Sequence, residues 1–320
     1  MRAPHLFVGL SAVVLASPLL AQTPECAAYS GNVQAHNVCA AAVDGTRAFH
    51  PAFGMLISGG NPTIGSAATL GGFGHASLTL RANAVNVVLP DLGYNGSSST
   101  VPAGDKLFLP APVVEGAVGV YNGMGRGLLA IDFLGSALLL PTNLVDNFSV
   151  DADARRIGSI ALGLGYGARI GLVRGVGPLP NISVSVMRRD IPTIAYGDAP
   201  AGDDYSYSVN LHATNLRLIA SKQLAVLDLA AGLGWDKYTG NAIIQFRDPI
   251  TTTLQPNVAV DLDNSRVLGF VNAGISMSMV RLTGEVGYQG GKDQNLSTDF
   301  EDFDTTRGKL FAGLGLRVSF

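Results

Sequence analysis

Leu310-Phe311-Ala312-Gly313-Leu314-Gly315-Leu316-Arg317-Val318-Ser319-Phe320 closes the chain. Leu310, Ala312, Leu314, Leu316, Val318 and Phe320 fall on one phase, and Phe311, Gly313, Gly315, Arg317 and Ser319 on the other. Side chains of a strand point to opposite faces with period two. The stretch therefore reads as a strand with one fully apolar face and one face that, after Phe311, carries only small and polar residues.

The same alternation recurs upstream. Strands are predicted at residues 74–89, 113–121, 126–139, 156–173, 181–189, 205–219, 224–235, 266–277 and 280–288, which with 310–320 makes ten. In 156–173, Ile160, Leu162, Leu164 and Tyr166 share one phase, and Ala161, Gly163, Gly165, Gly167 and Arg169 the other. Short linkers such as Ser221-Lys222 alternate with long polar ones at 91–109, 143–154, 190–204, 236–265 and 290–306. A count of twelve follows if Gly54–Gly59 pairs, or if part of Asn241–Leu262 forms a hairpin of its own.

Composition agrees with this pattern. Hydrophobic residues make up 47% of the 320 and mean hydropathy is positive. Yet no charge-free apolar run beyond the first twenty residues is long enough for a spanning helix. The 40 glycines have no three-residue period, which excludes a collagen-like chain. The net charge of −3 gives no basic surface for nucleic acid.

The start of the chain reads as an export signal. Met1-Arg2 precedes the apolar run Leu6–Leu20, and Leu19-Leu20-Ala21 offers a cleavage point, so residues 1–21 are expected to be removed. In an exported chain the two cysteines, Cys26 and Cys39, read as a disulfide. With only His36 nearby they supply too few ligands for a metal. Residues 22–71 lack the strand rhythm. A helix is expected over Ala35–Phe49, ending at His50-Pro51 because the residue before proline is pushed out of the helical region. This segment is either a plug or a periplasmic tail.

A closing strand that ends in an aromatic residue resembles that of Gram-negative outer-membrane β-barrels. The resemblance implies an antiparallel transmembrane barrel over residues 72–320, located in the outer membrane. It also implies lipid around the wall and recognition of the last strand by the barrel-assembly machinery. Short turns are then periplasmic and long loops extracellular. A short helical segment ahead of the first strand is weakly similar to the plug of FadL-type channels, an architectural likeness without a diagnostic motif.

On the polar phase the chain carries Arg81, Glu115, Arg126, Asp132, Arg169, Asp228, Arg281, Glu285 and Arg317. Lining a lumen, these charges form either a selective constriction or a paired network that fastens the strands. Arg126, Arg169, Arg281, Arg317 and Asp228 are expected near the periplasmic end. Tyr207, Trp235 and Tyr288 are expected outward at one height, with Phe320 at the opposite rim, because Trp and Tyr favour the membrane interface. His212 is placed inward beside Ser208 and Asn210, a same-face group too ordinary to indicate catalysis. No enzyme activity, cofactor or metal is expected. The expected function is a narrow pore or transporter for small solutes, with a closed-lumen barrel that acts through its loops as the alternative.

Overall fold

The computed structural model describes residues 23–91, 93–125, 127–141 and 148–320; the expected signal segment 1–21 and Arg126 lie outside these. Ten long strands form one antiparallel sheet: β1 (Ala76–Pro90), β2 (Ala103–Tyr121), β3 (Ile131–Pro141), β4 (Ile160–Val173), β5 (Asn181–Tyr196), β6 (Tyr205–Leu224), β7 (Leu227–Phe246), β8 (Val258–Met277), β9 (Val280–Gln289) and β10 (Lys309–Ser319). Each pairs with its sequence neighbours, and β10 pairs back onto β1, from Ser77↔Ser319 to Val85↔Phe311. The sheet is thus a closed barrel without a free edge between first and last strands. No helix among the described residues is long and apolar enough to cross a membrane.

The apolar phase faces outward over the lower part of the wall. Leu78, Leu80, Phe133, Leu216, Leu218, Leu229, Leu233, Val271, Leu282, Val286, Leu314 and Leu316 are all exposed, which suits lipid and not water. Trp235 and Tyr288 are also exposed on this face. They stand opposite Val267 and Gly269 of β8, within two residues of one height. Tyr166 of β4 lies outward a comparable distance from its turn. From Leu227 to Trp235 a tilted strand rises about 20 Å, close to the ~25 Å apolar band of such barrels. With this band and closure, the chain is an outer-membrane β-barrel protein.

Turns at 225–226 and 278–279 are two residues long, and Phe320 bonds to Ala76 on the same side. The opposite rim carries the longer connections 247–257 and 290–308. The short-turn rim is periplasmic and the long-loop rim extracellular.

Three expectations need correction. First, residues 236–265 are mostly strand, with a loop only at 247–257; β2 and β5 likewise run further than expected. Above Trp235 the alternation continues with its polarity reversed. Ala242, Ile244, Phe246, Val258, Val260 and Leu262 point inward and are buried, while Lys237, Asn241, Asp261 and Asp263 point outward. The barrel rises beyond the membrane band there, so water faces the outside and an apolar lumen faces the inside.

Second, the expected phase of β6 is off by one residue, because the polarity reverses along it while its alternation runs unbroken. Val209, Leu211, Ala213, Asn215 and Arg217 are buried inward. His212 is on the outer wall, its Nδ1 2.7 Å from Asp190 Oδ1 of β5. Tyr207 is not an interface aromatic: it packs inward on an apolar cluster, nine residues nearer the outer rim than Leu216, the partner of Trp235.

Third, the helix does not stop at His50. A 3-10 turn, Pro24–Tyr29, leads into α1, Val33–Ser58, which passes through Pro51. Proline removes the N–H that would bond the carbonyl of Arg47. In the orientation that satisfies its neighbours, the Gln294 amide donates to that carbonyl at 2.8 Å. Gly54 belongs to the helix, so neither it nor 241–262 adds strands.

Candidate functional site

The lumen is occupied along its length by α1, about 39 Å long for its 26 residues, and by the loop 59–72 below it. The helix runs from the extracellular rim toward the periplasm. Its small residues Ala40, Ala41, Ala48, Ala52 and Gly54 let it lie close to the wall; a Cβ on Gly54 would be 2.4 Å from ring carbons of Tyr238.

At the extracellular end, Cys26 and Cys39 are joined by a disulfide that ties the 3-10 turn to α1. Asn32 caps the helix, accepting from Ala35 N at 3.2 Å, and donates to Asp248 Oδ2 of loop 247–257 at 2.6 Å. The Asp248 carboxyl is held below the usual carboxylate range, chiefly by the backbone N–H of Thr251 and also by that of Ile250. Asp44 accepts from Ser297 N, Ser297 Oγ and Thr298 N at 2.8–2.9 Å, anchoring loop 290–308. Tyr29 stands edge-on to Phe246 at 5.3 Å and donates to Pro256 O. Asn37 donates to Gly96 O of loop 91–102 at 3.0 Å.

Deeper in the lumen, the wall addresses the helix C-terminus. The last turn of a helix leaves carbonyls without partners and carries partial negative charge. Asn83 donates to Leu56 O at 3.0 Å. Arg217 donates to Gly59 O at 2.9 Å and to Gly60 O at 2.7 Å. Arg81 donates to Asn61 O at 2.6 Å. Each guanidinium has a buried carboxylate behind it: Asp236 lies 2.5 Å from Arg217, and Glu285 is bonded to Arg81. Glu285 also accepts from Gly60 N and Asn61 N at 2.9 and 2.8 Å. Asp236 further accepts from Tyr238 OH and Asn215 Nδ2, both at 2.7 Å. Glu115 lies between Arg189 (3.1 Å) and Arg81 (3.7 Å).

At the periplasmic end, Asp132 pairs with Arg169 at 2.6 Å and accepts from Leu70 N at 3.1 Å. Arg169 also donates to Thr63 Oγ1 at 2.6 Å. Asp228 pairs with Arg281 at 2.8 Å. Arg317 is 4% exposed, and its Nε and Nη1 have no hydrogen-bond partner among the described residues. The hydroxyls of Ser183, Ser185 and Thr283 are also unbonded.

Of the nine lumen charges singled out, eight therefore lie inward, and Arg126 lies outside the described residues. Arg81, Glu115 and Glu285 meet at the helix C-terminus; Arg169 with Asp132 and Arg281 with Asp228 form separate pairs below. Four of them, Arg81, Asp132, Arg169 and Glu285, bond backbone atoms of the N-terminal segment. Sequence reasoning did not name Arg189, Arg217, Asp236, Arg266 or Lys309. Arg189 continues the inward phase of Ser183 and Ser185 and was findable. Arg217 and Asp236 sit where the polarity reverses, which hid them. Among the described residues no group of three or more His, Cys, Asp or Glu side chains suits a metal ion.

No protein-family model matches the chain, and no curated protein matches its sequence. Solved structures with a similar backbone are outer-membrane barrels. The outer membrane protease OmpT of Escherichia coli is 13% identical, with 80% of this chain and 100% of that chain covered and a TM-score of 0.37. The translocator domain of the autotransporter NalP of Neisseria meningitidis is 11% identical, with 90% and 99% covered and a TM-score of 0.40. The toluene transporter TodX of Pseudomonas putida is 9% identical, with 83% and 92% covered and a TM-score of 0.30.

Proposed function

We propose that this protein is a closed-lumen barrel that carries its N-terminal segment through the outer membrane and acts, without catalysis, through its extracellular cap. The cap consists of residues 23–32 and the loops they bind. The observation that carries this reading is the attachment of α1 at both ends: Asn32 and Asp44 to the outer loops, and the Gly59, Gly60 and Asn61 carbonyls to Arg217 and Arg81. A helix so held blocks solute flow and exposes its leading end to the exterior.

Planar-bilayer recording tests this reading. The full chain is expected to show no steady conductance, and deletion of residues 23–60 to open a pore. Steady single-channel conductance of the intact protein refutes it. A peptide tag placed after residue 22 should be accessible to antibody on intact cells; a tag reached only after the outer membrane is permeabilised refutes the sidedness.

The second reading is a pore or transporter for small solutes that opens when the plug yields. The observation favouring it is the polar lower lumen, where Ser183, Ser185, Thr283 and Arg317 have unbonded polar atoms of the kind that water satisfies. Solute-dependent opening in the same recordings would support transport over display.

A further inference from the structure

Two buried cations near the extracellular mouth stand apart from the other charges of the lumen. Arg266 of β8 is 6% exposed; its Nη2 donates to Gln294 Oε1 at 3.0 Å in the amide orientation given above, and its Nη1 has no hydrogen-bond partner. The Lys309 Nζ of β10 is also buried without a hydrogen bond, with the Phe303 ring 4.3 Å away on one side. Among the described residues no carboxylate lies within 4 Å of either, whereas Arg81, Arg169, Arg189, Arg217 and Arg281 all have one. Gln289 joins the two in the sheet, paired with Leu268 on one side and Lys309 on the other.

Both cations line one small, open cleft between the helix face Ala48, Pro51, Ala52 and the loop 290–308. Gln289, Gln294 and the exposed Arg307 line it too, and no acidic residue does. Arg307 contacts Asp304 at 3.3 Å on the exposed side of that loop. Small helix residues leave the space, and the cations supply the charge.

Burying one unpaired cation is costly and burying two adjacent ones more so. The counter-charge has to come from outside the chain. A monoanionic carboxylate neutralises one of the two; a dianion neutralises both. The guanidinium fork and the ammonium donors suit a tetrahedral oxyanion. We infer that the cleft between α1 and loop 290–308 binds a phosphate group through Arg266 and Lys309, with Arg307 at its mouth. The site is independent of whether the barrel displays its cap or transports.

The test uses the full-length protein in detergent, with folding checked by heat-modified gel mobility. Inorganic phosphate should raise the melting temperature saturably in the millimolar range, while chloride at equal ionic strength should not. Arg266→Gln and Lys309→Gln should each weaken phosphate binding at least tenfold. Lys309→Gln should not lower the melting temperature in chloride, because it removes a buried charge without a hydrogen bond; a purely structural role predicts the reverse. Arg307→Gln, an exposed change, keeps the proposal testable if the buried variants fold poorly: it should weaken binding several-fold at low salt. Glycerol 3-phosphate tells the sources apart, since its binding means that the mouth admits a phosphomonoester and its failure limits the ligand to the free ion. A phosphate response equalled by chloride, or retained in the folded Arg266→Gln/Lys309→Gln double variant, overturns the proposal.

Discussion

Arg217→Met is the sharpest test of how the plug is held. Arg217 is 1% exposed; besides the wall carbonyls of Leu216 (3.1 Å) and Trp235 (3.4 Å), it bonds the Asp236 carboxylate at 2.5 Å and, on the plug, Gly59 O at 2.9 Å and Gly60 O at 2.7 Å. Methionine approximates its apolar stem, so little of the effect comes from a cavity. Removing one member of a buried ion pair costs about 3–5 kcal/mol. Asp236 keeps its bonds from Tyr238 and Asn215, which favours the low end of that range. The two orphaned carbonyls add about 1–3 kcal/mol each at most, in part the same loss counted again. The expected destabilisation is therefore about 3–5 kcal/mol. The double variant Arg217→Met/Asp236→Leu removes both charges and should recover part of the loss, remaining about 1–3 kcal/mol below wild type because the carbonyls stay unbonded. Urea unfolding in micelles, followed by fluorescence of Trp235, the sole tryptophan, measures both. If the single variant lies within about 1 kcal/mol of wild type, or the double is no more stable than the single, Arg217 is not the clamp described here.

Further outcomes follow from the wall, the plug and the rim. Leu229→Arg places a charge on the lipid face and should destabilise by about 2–4 kcal/mol if it lies near the midplane; ready labelling of Leu229→Cys by a membrane-impermeant reagent would contradict the outward assignment. Gly54→Val sets a branched side chain against the Tyr238 ring; it should cost about 1–3 kcal/mol and produce intermittent conductance, and silent bilayers with unchanged stability would show that the helix has slack there. Asp248 has a folded pKa depressed by loop N–H groups. Its contribution is present above the unfolded value of about 3.9 and lost as pH falls through the lower folded value. Proteolysis near residue 32 should accordingly increase as the medium is acidified below about pH 4, and Asp248→Asn should flatten that response; identical pH profiles would sink the idea.

The barrel itself was legible in the sequence wherever one physical rule governs both faces. Within the membrane band lipid demands apolar residues outside, and a narrow lumen takes small or polar ones. Ile160–Arg169, Leu227–Trp235 and Leu310–Phe320 state that rule residue by residue, and ten strands with short and long connections follow from it. Backbone closure adds nothing that period-two alternation had not already implied.

Tertiary structure decided everything that depends on what fills the barrel. Above Trp235 water replaces lipid outside, and α1 replaces polar lining inside, so the same alternation changes sign. A stretch such as Asn241–Leu262 then reads as a polar loop, and β6 is read one residue out of phase. Pro51 ends a helix by local preference but not in a lumen where Gln294 meets the carbonyl it frees. Inward charges within the membrane band, such as Arg81, Asp132 and Arg169, could be read from the chain, whereas Arg217 and Asp236, at the reversal, could not. Which of them bond to the plug, which to each other, and which stay unpaired depends on contacts such as Arg217–Gly60, between groups 157 residues apart. No local pattern encodes those contacts, because they exist only once the sheet closes around the helix.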